Sequence, residues 1–374
     1  MRLFRCILLT LFVSVSLTGC WDREYLKDIS LAYTVAFDRK DDGKLLETVE
    51  IIIPAETEQA ATTNEIHTSE GQSVRDASNE MRNRVRGNMR LTKNGLQLLG
   101  RPLAEHGLYS VLDVNFRDPS IPTSDVRLIV TEDEATKILN QKMVGTVKIG
   151  EFLTHKIKSL ERMSIFYPSE TMDKVFRSLK DPGQDFALPY IGLEGKEIVA
   201  KGVALFHEQR LTSSLDTDQS IMLVLLRGRH GENARFNRKL EIGSPDHLNG
   251  MISFNVGKKE LVRKFKVHVA KNGDVHVELN LKLQAIVEEF TQDKKLNENN
   301  LGRVNEKLSE MLTAEAEEVV RKLQQANCDI FGVGRKLIAY HNDVWKTKDW
   351  NKDYQKVQFH TKVNVEIVDT GVIF

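Results

Sequence analysis

The sequence predicts an α+β protein of more than one domain, with antiparallel or mixed sheets each flanked by helices. Three observations carry that expectation. Apolar and polar residues alternate in several segments, most clearly at Val357, Phe359, Thr361, Val363, Val365 and Ile367. Such period-two alternation marks half-buried strands, which favour antiparallel or mixed sheets over a doubly wound parallel core. Runs of helical period lie between these strands, the longest through Leu301, Val304, Leu308, Met311, Leu312, Ala316, Val319, Leu323 and Ala326. The length of 374 residues sets a prior of two to three domains.

From the N-terminus, Arg2 and Arg5 form a positive n-region, and Cys6 to Leu17 form an apolar stretch of 12 residues, too short to span a bilayer as a helix. Leu17-Thr18-Gly19-Cys20 closes it as a lipobox, so residues 1–19 read as a removable lipoprotein signal peptide and Cys20 as the lipid attachment site. The small residues let the chain lie extended in a peptidase cleft, and the Cys20 thiol takes a diacylglyceryl group. Two or three acyl chains, at about 0.8 kcal/mol per buried CH₂, anchor stably. The mature chain is expected on the outer face of the cytoplasmic membrane.

Ile29–Phe37 and Leu45–Ile53 read as strands joined by the turn Lys40-Asp41-Asp42-Gly43. Residues from about Thr57 to Gly71 are polar and read as a loop. Val74, Ala77, Met81, Val85 and Met89 mark an amphipathic helix whose other face carries Arg75, Arg82, Arg84, Arg86 and Arg90. That face suits either anionic headgroups or solvent. Short strands follow at Leu96–Leu99 and Val126–Val130. Thr131-x-x-Glu134 reads as a capping box for a helix to Leu139, with a second helix over Ile149–Leu160. Pro168, Pro182 and Pro189 cluster around Asp181-Pro182-Gly183, which predicts a boundary there. The expected division is an N-terminal α+β domain over 20–190 and a C-terminal region over 198–374, the latter divisible near 260. The modules are read as sheets with helices on one side.

Beyond the boundary, Val199–Phe206 reads as a strand, Asp218–Leu226 as a helix stopping at Gly228, and Met251–Val256 as a strand. Phe265–Ala270 and Val275–Leu283 form a hairpin. A two-residue turn would set Val269 opposite His276, whereas the loop Lys271-Asn272-Gly273 sets Val269 opposite Val275 and buries one clean face. The three-residue loop also places Gly273 in the left-handed position of a G1 bulge. The long helix that follows reads as packing on a sheet, with a coiled coil as the alternative. Asp329-Ile330-Phe331-Gly332 breaks it, a short helix runs to about Trp345, and a long strand closes the chain.

Composition and motifs narrow the function. Hydrophobic residues at 41% and charged residues at 28% exclude disordered, collagenous and polytopic membrane classes. Fifty-three Lys and Arg balance fifty-three Asp and Glu, so no field recruits nucleic acid. Of the three cysteines, Cys6, Cys20 and Cys328, only the last lies in the body, which leaves no pair for a disulfide and no zinc-ligand spacing. HExxH, GxSxG, Walker A and GxGxxG are absent. Gly332-Val333-Gly334 follows a helix, the wrong context for a phosphate loop. His276 and Glu278 read as the polar face of a strand, and Cys328 as structural. No catalytic residue, metal site or cofactor is expected.

Several short motifs, in order, resemble the Ger(x)C family of spore germination lipoproteins. They are Cys20-Trp21-Asp22-x-Glu24 after the lipobox, Gly71-Gln72-Ser73, Leu103-Ala104-x-x-Gly107-Leu108 leading to Arg117-Asp118, Lys201-Gly202-x-Ala204-Leu205-Phe206, Asp329-Ile330-Phe331-Gly332 and the terminal Thr370-Gly371. Thr92-Lys93-Asn94 departs from the pattern, which has a His-containing segment there. The resemblance implies three α+β domains and the role of a lipid-anchored C subunit of a nutrient germinant receptor on the outer face of the spore inner membrane. Its implied partners are a membrane-embedded A subunit and a permease-like B subunit, the latter the more suited to hold the germinant. A substrate-binding lipoprotein of an envelope transporter is the alternative reading. That class has lobes of parallel βαβ units, which the alternating strands do not suggest.

Overall fold

A computed structural model describes residues 28–370, except 54–61, 168–169, 230, 243–247, 292–295 and 297. The signal peptide, the lipobox with Cys20, Trp21 and Pro168 lie outside the described residues.

The first sheet begins with β1 (Ile29–Arg39), β2 (Leu45–Ile53) and β3 (Thr63–Gly71), an antiparallel meander. β3 occupies part of the stretch read as a loop. Its alternation is hard to see in sequence because its residues are polar and it lies at the sheet's edge. Helix α1 (Val74–Arg82) starts at Ser73, whose Oγ accepts from Asp76 N at 3.2 Å. It is shorter than the sequence predicts: Val85 is buried in a following turn, and β4 (Asn88–Arg90) pairs parallel with the start of β1. Then come β5 (Leu96–Gly100), the unpredicted helices α2 (Arg101–His106) and α3 (Tyr109–Arg117), and β6 (Arg127–Thr131). Helix α4 (Ala135–Leu139), the ladder β7 (Met143–Val144) with β8 (Val147–Lys148), α5 (Ile149–Arg162) and α6 (Met172–Leu179) lead to β9 (Ala187–Glu194), β10 (Glu197–His207) and β11 (Arg210–Leu215).

The strand order is β11-β10-β9-β6-β5-β1-β2-β3, with β4 beside β1. Its centre, β1-β5-β6-β9, is parallel. Parallel neighbours need crossovers, and crossovers put helices over a sheet. Both faces of this sheet are therefore covered, in place of the one-sided module the sequence suggests. Ala36, Leu98 and Ile129 point into one apolar cluster, Phe37, Leu99 and Val130 into the other. The first sheet also continues through residues 190–198, between the two expected divisions 20–190 and 198–374. Pro189 lies inside β9, opposite Val203 of β10, and the change of sheet comes after Leu215.

Helix α7 (Thr217–Leu226) opens with a capping box: Gln219 N donates to Asp216 Oδ1 at 2.9 Å, and the Gln219 side chain returns to Asp216 N. The second sheet contains β12 (Asn233–Ile242), β13 (Leu248–Gly257), β14 (Leu261–Val269) and β15 (Val275–Phe290), ordered β12-β13-β15-β14. The hairpin has the three-residue loop: Val269 faces Val275, Val267 faces Val277 and Phe265 faces Leu279. Gly273 N donates to Ala270 O, and Gly273 has φ +84°.

Helix α8 (Glu298–Gln325) and the short helices α9 (Val333–Tyr340), α10 (Asn342–Trp345) and α11 (Trp350–Asp353) precede β16 (Gln358–Asp369), which pairs parallel with β15. The stripe Val304, Leu308, Leu312, Ala316, Val319 and Leu323 is fully buried against the second sheet, which settles the helix as sheet-packed. Each Val and Leu of the stripe contributes about 1.5–3 kcal/mol relative to exposure. The neighbouring row of α8 is polar for a different reason. Ile367 N donates to Asn305 Oδ1 at 3.0 Å, Val365 N to Ser309 Oγ at 2.8 Å and Val363 N to Thr313 Oγ1 at 3.0 Å. Steps of four residues on the helix thus match steps of two on the strand, and α8 closes the edge that β16 would otherwise leave open. One apolar cluster includes residues of both sheets, and the residues of both clusters fall between Ala32 and Ile367.

Candidate functional site

Cys20, the lipid attachment site expected from the sequence, lies outside the described residues. Among the described residues, a partly buried polar cluster sits where the first sheet meets the turn between α8 and α9. Asp185, just before β9, His207, at the end of β10, and Asn327-Cys328-Asp329, after α8, converge there. Asp185 Oδ1 accepts from Glu208 N at 2.8 Å, and its Oδ2 accepts from Asp329 N at 2.9 Å. Asp185 N donates back to Asp329 O at 3.0 Å, so the two acidic residues lock the segments reciprocally.

His207 Nδ1 lies 3.3 Å from Asp185 Oδ2, and its Nε2 lies 3.1 Å from Asn327 Nδ2. The hydrogen bond to Asp185 raises the pKa of His207 above its usual 6.5. This acid–histidine pair differs from a catalytic one, because protein groups occupy both ring nitrogens and, among the described residues, no hydroxyl or thiol hydrogen-bonds to the ring. The nearby Cys328 thiol is buried, points to Phe186 O at 3.7 Å, and is held well above its ordinary pKa by that burial. A buried neutral thiol is a weak nucleophile, which fits the structural reading.

Asp329 is buried and performs the task that a local cap does elsewhere. Its carboxylate accepts from Val333 N at 2.9 Å and Gly334 N at 2.8 Å, the first turn of α9, and from Trp350 Nε1 at 3.1 Å. Burial pushes its pKa up to about 7 against those three donated bonds. Gly332-Val333-Gly334, with no phosphate role expected, now has a packing explanation. Gly332 takes φ +72° at the helix start. A Cβ on Gly334 would lie 2.8 Å from both Gly183 Cα and Trp350 Nε1, so the two backbones touch only because both residues are glycine. Arg335 N donates to Gly183 O at 2.9 Å, and Arg335 pairs with Asp181 at 2.9 Å. The turn Asp181-Pro182-Gly183 is thus a contact with α9.

The other motif residues serve the fold in similar ways. A Cβ on Gly71 would lie 2.3 Å from Ala77 N, and one on Gly202, where φ is +112°, 2.0 Å from Leu215 O. Leu103, Ala104 and Leu108 are buried in the second apolar cluster. In the departing segment, Asn94 Nδ2 donates to Tyr33 O and Leu96 O, both at 3.0 Å, and its Oδ1 accepts from Gln97. His276 stacks on His360 with centroids 5.7 Å apart, and Glu278 pairs with Lys264 at 3.2 Å, as a solvent-facing strand surface does. Among the described residues, no group of three His, Cys, Asp or Glu is placed to hold a metal ion.

Sequence reading missed Asp38, Glu50, Asp185 and His207. The Thr131–Glu134 capping box does not form: Thr131 Oγ1 turns to Asp133 O, and Asp38 caps α4 by accepting from Ala135 N at 2.7 Å and Thr136 N at 2.8 Å. Buried Glu50 likewise accepts from Gly150 N at 3.2 Å in the first turn of α5. No local pattern announces a cap contributed by a strand about a hundred residues away.

Comparison with known families decides the chain's kinship. Residues 22–193 match the model described as the spore germination protein N-terminal domain, and residues 201–371 match the one described as spore germination B3/GerAC-like, C-terminal. The chain belongs to the GerAC family of spore germination proteins. Within the family, it is 23% identical to the putative spore germination protein YfkR of Bacillus subtilis (strain 168), an alignment that covers 100% of this chain and 98% of that one. It is 21% identical to spore germination protein KC of the same organism, over 98% of this chain and 96% of that one. The crystal structure of the GerBC protein shares the fold, with a TM-score of 0.54 at 17% identity, covering 93% of this chain and all of that one. In this GerAC family member the two domain models meet between residues 193 and 201, inside the hairpin of β9 and β10.

Proposed function

We propose that this chain is the lipid-anchored accessory subunit of a nutrient germinant receptor, acting by protein contact with a membrane-embedded A subunit and a permease-like B subunit. In this reading Cys20 carries the acyl chains and holds the body on the outer face of the spore inner membrane. The observation that carries the proposal is an ordered n-region, apolar stretch and lipobox directly ahead of two spore germination domains. No helix among the described residues is long and apolar enough to cross a membrane, and the acyl group at Cys20 is the attachment proposed. The side chains of Asp185, His207 and Asp329 are engaged with protein groups, which supports a scaffold that transmits contacts over one that turns over a substrate.

Cys20→Ala tests the anchor. The variant is expected to incorporate no labelled fatty acid, to leave the membrane fraction once released, and to slow the germination response to nutrients. Labelled acyl chain on the variant, or an unchanged response from a protein absent from the membrane, would sink the proposal.

A further inference from the structure

We propose that the arginine-rich turn after α1 is a second membrane contact, which lays the anchored body against anionic phospholipid headgroups. This deepens the lipid-anchor reading and rests on it. Charge is the first argument. From Met81 to Ala104 the chain carries six cations, Arg82, Arg84, Arg86, Arg90, Lys93 and Arg101, and no Asp or Glu, in a protein whose charges cancel overall. Arg82, Arg84 and Arg86 are exposed, and none forms an ion pair among the described residues. Arg75, about two helical turns before Arg82, is paired with Asp118 at 3.6 Å. The apolar partners in the segment, Met81 and Val85, are buried, so the fold holds the backbone while the guanidinium groups stay in solvent.

Position is the second argument. The turn is fastened to the first described residues of the body. Ser30 Oγ donates to Arg86 O, and Ile29, Ser30 and Leu31 pair with Asn88, Met89 and Arg90. Gly87 packs so closely that a Cβ there would lie 2.4 Å from Asp28 O. Cys20 lies only eight residues before Asp28. Fully extended, eight residues reach about 26–29 Å. An acyl anchor at Cys20 therefore keeps this turn within that reach of the membrane. A short tether supplies proximity but no orientation. Three unpaired arginines within a Debye length of about 10 Å of an anionic surface supply it.

The test uses residues 21–374, which retain both apolar clusters and lack Cys20, so binding is read without any acyl chain. The protein is sedimented with phosphatidylcholine vesicles that contain phosphatidylglycerol, and with pure phosphatidylcholine vesicles. A cation near an anionic surface is worth about fivefold in binding, so Arg82→Gln, Arg84→Gln and Arg86→Gln together should lower the affinity for the anionic vesicles about 100-fold. Lys258→Gln, Lys264→Gln and Lys266→Gln, which remove the same charge from the second sheet, should leave it unchanged, and unfolding curves of both variants check the fold. Equal loss in the two triple variants, or equal binding of the unsubstituted body to both vesicles, would overturn the proposal. Acylation of Cys20 is read separately by fatty-acid labelling, so failure of the anchor and failure of the patch give different results.

Discussion

At His207 one imidazole ties the end of β10 to Asp185 and to Asn327 after α8. Its raised pKa has a defined consequence. Protonated His207 interacts with Asp185, so its stabilisation is complete below the unfolded value of 6.5 and is lost as the pH rises through the higher folded value. The gap in unfolding temperature between the wild type and His207→Gln should be widest below pH 6.5 and close above it; a gap that is flat across this range would contradict the assignment. Asp329 acts in the same direction, since the folded chain binds its proton more tightly than the unfolded chain between 3.8 and about 7. Gly334→Ala probes the neighbouring contact. With a Cβ 2.8 Å from Gly183, it should cost about 1–3 kcal/mol in denaturant unfolding. At this scale the sequence was least legible. Gly332-Val333-Gly334 was visible as an oddity, but its partners Gly183 and Trp350 are distant in sequence. The same holds for Asp38 and Glu50, whose carboxylates cap helices far along the chain.

At the scale of elements, period-two and period-3.6 patterns were legible wherever one face is buried. The 265–283 hairpin and β16 were readable to the residue because a slip of one position would turn every valine to solvent. The parallel centre of the first sheet was not readable, since β5 and β6 are short, both faces of the sheet are buried and the alternation that signals a one-sided sheet is absent. β3 was missed for the opposite reason, as a polar edge strand. The polar row of α8 satisfies the edge of β16, which its spacing in sequence does not announce. Replacing Asn305, Ser309 and Thr313 together with Ala would strip three acceptors from that edge. At about 0.5–1.5 kcal/mol for each hydrogen bond, thermal unfolding should report a loss of roughly 2–4 kcal/mol. An unchanged midpoint would mean that the edge needs no cover from α8.

At the scale of the whole molecule, the two sheets share an apolar cluster, and Asp185, His207 and Asp329 tie the first sheet to the turn after α8. This arrangement suits a body that passes on a contact as one piece. If the permease-like subunit holds the germinant, residues 21–374 alone should not bind it. A ligand at 100 times its Kd adds about 2.7 kcal/mol. For a domain of 150–250 residues, that shifts Tm by roughly 5–11 °C. Thermal unfolding against amino acids, sugars and nucleosides should therefore show no such shift, and a reproducible one with a single nutrient would make this chain a direct sensor. The central claim, contact with two membrane subunits, is tested most directly by cross-linking in dormant spores followed by purification through a tag on this chain. The account predicts that two integral membrane proteins co-purify, one of them permease-like, and that both are lost from the complex when residues 28–370 are removed and only the acylated N-terminal segment remains. Recovery of this chain alone, or with a transport ATPase in place of those two proteins, would contradict it.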